Sequence, residues 1–106
     1  AIKYAKTFTK SQDGVTLYMQ HNQGACGYSI IVDMAAVGKA NMACGGVTHN
    51  ANDIYRNIRS NVNGRYKRIV RNEGELNRKS ASAYINFMKK IYWPKGVRQW
   101  KKITSP

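Results

Sequence analysis

The chain has 106 residues, 42% of them apolar, and a formal net charge of +13. A chain of this size holds one modest core and no second domain, so residues 1–106 are read as a single domain. With no run near the roughly 18 uninterrupted apolar residues of a spanning helix, no transmembrane helix is expected; the longest apolar stretch, Ile30 to Ala43, is broken by Asp33, Gly38, Lys39 and Asn41.

Ile2–Thr9 and Val15–Gln20 are rich in aromatic and β-branched residues, and Ser11-Gln12-Asp13-Gly14 between them has turn chemistry. This predicts a β-hairpin whose second strand turns Val15, Leu17 and Met19 to one face. Tyr28–Val32 is a short apolar run that periodicity assigns equally to a buried strand or a helix. Continued through Met34-Ala35-Ala36-Val37, it is read as a helix over Ser29–Lys39.

Cys26 and Cys44 are the only cysteines, and both adjoin glycines that let the backbone bend toward a partner. They are either bridged or two buried thiols, and the bridge is the expectation; closing that loop stabilises by roughly 3 kcal/mol. Two cysteines are too few for a structural zinc site. His21, Asp33 and His49 lack ligand spacing, so neither metal nor cofactor is predicted.

Ala51, Ile54, Tyr55, Ile58 and Val62 form one helical stripe, Asn50 stands at the N-cap position, and Gly64 follows as a stop. The pattern predicts a helix over 51–63 with Arg56, Arg59 and Asn63 on its outer side. Arg65–Arg71 alternates like a strand, Tyr66, Arg68 and Val70 facing one way and Arg65, Lys67, Ile69 and Arg71 the other, with Asn72-Glu73-Gly74 as a turn. Ser80 then caps a helix whose stripe runs through Ala81, Tyr84, Ile85, Met88, Ile91 and Tyr92. Pro94-Lys95-Gly96 ends it, and Val97–Thr104 is a last strand. The fold class is therefore α+β, a small antiparallel sheet with two or three packed helices.

The charge is unevenly placed. Ala1–Tyr55 holds four basic and three acidic residues, Arg56–Pro106 fourteen and two. Self-repulsion on this scale costs stability, and it marks a footprint for phosphate, in lipid headgroups or nucleic acid. The expected binding residues are Arg65, Tyr66, Lys67, Arg68 and Arg71 together with Arg98, Trp100, Lys101 and Lys102, in which Tyr66 and Trp100 offer stacking surfaces among cations. Lys89, Lys90 and Trp93 beside the last helix's stripe fit a helix lying in a lipid interface, but a stripe at this spacing is first of all core.

Two family resemblances follow from these residues. Cys44-Gly45-Gly46-Val47, then Asp53-Ile54, Ile58, Gly64 and Gly74, over about residues 40–76, resembles the small secreted fungal killer-toxin and necrosis-inducing effector domains, although the further cysteines of those families are missing. It implies a secreted, disulfide-bonded, antimicrobial α/β toxin acting on a target cell. Cys44-Gly45, Asp53-Ile54, Tyr66-Lys67-Arg68 and Asn72-Glu73-Gly74 are similar to the secreted fungal guanyl-specific ribonucleases, with Arg68 where a histidine would stand. That resemblance makes Glu73 a general base for the ribose 2′-hydroxyl; the acid would be a later histidine, and none follows His49.

Read without either family, His21, His49 and Glu73 with an arginine such as Arg68 would supply the base, acid and cation that RNA cleavage needs if the fold brings them together. The leading reading is a non-enzymatic secreted toxin or effector meeting an anionic membrane surface or a cell-surface receptor. The alternatives are a secreted RNA-binding or ribonuclease-like protein and a ribosome-associated basic protein. A start at Ala1, with no initiator methionine, fits export in a mature form.

Overall fold

The computed structural model describes residues 14–104, with side chains described as far as Ile91. Over this range the chain is mostly helical, with four helices and one two-stranded sheet: α1 (Gly14–Val37), β1 (Ala43–Cys44), β2 (Val47–Thr48), α2 (Ala51–Asn61), α3 (Gly64–Glu73) and α4 (Arg78–Thr104). It is an α+β fold in which the sheet is far smaller, and the helices among the described residues more numerous, than expected.

Of four expected strands, the three that fall within the described residues are helical instead. Residues 2–9, the first strand of the predicted hairpin, lie outside the described residues. Val15–Gln20 opens α1 instead of pairing as a strand, with Val15 and Met19 buried and Leu17 half-buried. Residues 65–71 are likewise helical, and Tyr66 and Val70 turn inward while Arg68 stays exposed. In both segments the inward residues are four apart, a spacing that satisfies a period of two and a helical turn equally well. Val97–Thr104 continues α4, so Pro94-Lys95-Gly96 does not end it. Proline within a helix forfeits one backbone bond at a local cost of about 3 kcal/mol, which a helix anchored by its earlier turns survives.

In α1 the backbone at Gly24 is non-helical (φ 75°, ψ 164°), so two helical stretches meet at an angle that a side chain with a Cβ rarely adopts. The second stretch contains most of the predicted Ser29–Lys39 helix. After it, β1 and β2 pair antiparallel, Ala43 with Thr48 and Cys44 with Val47, around a two-residue Gly45-Gly46 turn with φ of 64° and 80°. Two successive positive φ values are what a type I′ turn requires. The His49 amide donates to the Met42 carbonyl at 2.8 Å and extends the ladder by one bond.

Asn50 caps α2 as expected, its side-chain oxygen accepting from Asn52 and Asp53 amides at 2.8 and 3.3 Å. The helix stops at Asn61, Val62 is extended, and Gly64 opens α3 (φ 60°) instead of stopping α2. Tyr55 ties the two helices together, its hydroxyl donating to the buried Val70 carbonyl at 2.7 Å. Gly74 ends α3 in the left-handed region. The cap of α4 is Asn77, not Ser80. Asn77 Oδ1 accepts from the Ser80 amide and Ser80 Oγ from the Asn77 amide, both at 2.9 Å, a reciprocal capping box.

α1 packs most extensively on α4, and α3 packs on α4 next. Fully buried Ile30 and Ile31 from α1, Ile58 from α2 and Tyr84 and Met88 from α4 meet in one core. Each such side chain removed from water stabilises by roughly 1.5–3 kcal/mol. The stripe of α4 is therefore core over Ala81–Met88, which removes those residues from any lipid interface; Ile91, at 39% exposure, is outside it.

Candidate anion-binding surface

The helical form of α3 rearranges the cations that a strand would have split between two faces. At helical spacing Arg65, Arg68 and Arg71 follow one another three residues apart and form a broad exposed face, with Lys67 half-buried on its flank. Ile69, 41% exposed, stands among them. Glu73 pairs with Lys79 at 3.9 Å at the C-terminal end of α3, while Tyr66 meets Phe87 at the other end, so α3 and α4 run antiparallel.

That antiparallel pairing carries Lys90 of α4 to the start of α3. Tyr66 is the junction. The Arg65 guanidinium lies over its ring at 4.9 Å, the Lys90 ammonium lies 6.0 Å from the ring centroid, and Phe87 packs edge-on at 5.9 Å. Arg65 also donates to the Tyr66 hydroxyl at 3.1 Å. This hydrogen bond, helped by the nearby positive charges of Arg65 and Lys90 against partial desolvation, holds the phenol below the ordinary tyrosine pKa.

The cations of this surface have no acidic partner among the described residues. Among the described residues the ion pairs are Arg56 with Asp53 at 2.9 Å and Lys79 with Glu73, and neither includes Arg65, Arg68, Arg71, Lys89 or Lys90. The Arg56–Asp53 pair is itself so exposed that it contributes little. On α2, Arg59 is held over the Tyr55 ring at 5.8 Å.

Of the expected binding residues, Arg65, Tyr66, Lys67, Arg68 and Arg71 share α3. Arg98, Trp100, Lys101 and Lys102 fall on the C-terminal part of α4, and their side chains lie outside the described residues. Lys90 joins the surface through a tertiary contact; in the sequence only its place on the same helix as Phe87, one turn earlier, could have hinted at it. The residues weighed for RNA cleavage are engaged separately: His49 has a ring nitrogen 3.1 Å from the Cys44 carbonyl, Glu73 is paired with Lys79, and Arg68 is exposed on α3.

Cys26 and Cys44 form the expected disulfide, with Cα atoms 5.7 Å apart, joining α1 to the small hairpin. Among the described residues no helix is long and apolar enough to cross a membrane. Comparison of the chain with family models, curated proteins and solved structures finds no match.

Proposed function

We propose that the protein is a secreted, non-enzymatic basic toxin or effector that docks on the anionic lipid surface of a target cell through α3 and the facing part of α4. The observation that carries this reading is the exposed Arg65, Arg68 and Arg71 face, which has no acidic partner among the described residues, with Lys90 at its Tyr66 end and the exposed Ile69 among the arginines. Cations of this kind contribute about 1 kcal/mol each beside an anionic leaflet, and an exposed apolar side chain adds burial in the headgroup region. The disulfide and the lack of a spanning helix among the described residues are compatible with export.

RNA is the competing ligand, because the same cations suit a phosphate backbone. The Tyr66 ring favours lipid: its surface is already engaged by Arg65, Lys90 and Phe87, which leaves less of it for a stacked base. Cosedimentation with phosphatidylserine-containing vesicles, with neutral phosphatidylcholine vesicles and with total RNA separates the readings. Binding is expected to the anionic vesicles only, falling steeply with added salt. Combined Arg65→Glu, Arg68→Glu and Arg71→Glu lowers that partitioning by about a hundredfold, whereas Lys39→Glu, in the loop after α1, changes it little. Tighter binding to RNA than to vesicles overturns the lipid reading, and RNA cleavage lost in Glu73→Gln overturns the non-enzymatic one.

A further inference from the structure

The disulfide has a third neighbour that stapling does not require. The Cys26 and Cys44 sulfurs and one ring nitrogen of His49 all lie within 4.8 Å of one another, and all three residues are half-buried. His49 is positioned twice over, by its amide bond to the Met42 carbonyl at 2.8 Å and by its ring contact with the Cys44 carbonyl at 3.1 Å. Behind the sulfurs the Gly45 backbone comes close enough that a Cβ there would sit 3.4 Å from Cys26 Sγ. The three donors therefore converge from α1, β1 and the residue after β2, with the hairpin hydrogen bonds keeping the last two in register.

Zinc–sulfur bonds are about 2.3 Å and zinc–nitrogen bonds about 2.0–2.1 Å, so tetrahedral ligand atoms stand about 3.4–3.8 Å apart. Opening the disulfide removes the bond that holds the sulfurs closer together than this. We propose that, once Cys26–Cys44 is reduced, Cys26, Cys44 and His49 bind one soft or borderline divalent ion such as Zn2+, with water in the fourth position. Two thiolates and an imidazole select this class of ion over Mg2+ or Ca2+, and their two negative charges match its own. Disulfide and metal would then be alternative links between α1 and the hairpin, chosen by redox conditions.

The chemistry balances with a trialkylphosphine as reductant. The phosphine takes an oxygen atom from water to become its oxide, the S–S bond breaks, and the two hydrogens of that water finish on the two sulfurs. Metal binding then releases both thiol protons as two metal–sulfur bonds form, and neutral His49 donates its nitrogen lone pair.

The test titrates the oxidised and the phosphine-reduced full chain anaerobically with Co2+, reading its visible ligand-field bands and the thiolate charge-transfer band, and then displaces it with Zn2+ against a chromophoric chelator. One equivalent is expected to bind the reduced chain, with the charge-transfer band present, and none the oxidised chain. His49→Ala weakens zinc binding by about tenfold or more, since even the loss of an outer partner of a ligand costs tenfold or more. His49→Gln retains a donor for the Cys44 carbonyl and shows the same loss, and His49→Cys restores binding with stronger charge transfer. Circular dichroism confirms that each variant remains helical, and should His49→Ala unfold, His49→Gln and His49→Cys decide the result. Equal metal binding by oxidised and reduced chains, or binding by the reduced chain that is unaffected in the folded His49 variant, overturns the proposal.

Discussion

The segment from Asn41 to Asn50 and the α3–α4 helical pair are held by different forces. The first is short, rich in glycine and largely exposed; its order rests on a few backbone bonds, on Asn41 Oδ1 accepting from the Ala43 amide at 3.0 Å, and on a covalent link to α1. The second buries Val70, Tyr84 and Met88 and has its charge on the outside. A cross-link matters most where burial is scarce, and a helix whose inner face is fixed by packing leaves its outer face to be chosen for binding. The almost neutral first half and the strongly basic second half follow this division.

The largest effect belongs to the packed region. Tyr84→Ala empties a fully buried position of α4 and should cost about 3–5 kcal/mol, read from urea denaturation midpoints. A cost below 1 kcal/mol would show that α4 does not organise the core. Loss of the cross-link comes next: reduction, or Cys26→Ser with Cys44→Ser, should cost about 3 kcal/mol for a loop of this size. The same change should leave the α3–α4 pair helical and its binding to anionic vesicles nearly intact. Loss of vesicle binding on reduction would mean that the two regions are not separable.

Asn77→Ala removes one half of the box that starts α4 and should cost about 1 kcal/mol in the same denaturation assay. A subtler change concerns Tyr66. Its phenol should titrate, by ultraviolet absorbance, below the ordinary value of 10.0 because the Arg65 hydrogen bond favours the phenolate, and Arg65→Ala should move it upward. An unchanged titration in Arg65→Ala would remove Arg65 from the Tyr66 contact and with it part of the cationic junction.

The comparison also explains what could be read ahead of the structure. Asn50 and the Ile54, Tyr55 and Ile58 stripe were legible because cap and periodicity agree. The pairing of Cys26 with Cys44 was legible because no other cysteine competes. Residues 15–20 and 65–71 were misread as strands because their inward-facing pairs, Val15 with Met19 and Tyr66 with Val70, are four residues apart. In so short a window β-branched content and alternation imitate a strand, and the helix is decided by what the segment packs against. Gly64 was misread for a related reason: a glycine between two helices is compatible with ending one or beginning the next, and here it stands, with φ 60°, at the first residue of α3.

The sequence alone determined the total charge, its concentration beyond Tyr55, the single possible disulfide and the helices with strong caps, because composition, pairing number and local hydrogen bonding do not depend on distant contacts. Only the tertiary structure decided that α3 is a helix, that Lys90 reaches Tyr66, and that His49 stands beside both sulfurs. The first two depend on segments brought together by burial in one core, and the free energy of that burial is a property of the assembled fold that no local window contains; the third depends on the hairpin bonds and on the disulfide that ties the hairpin to α1.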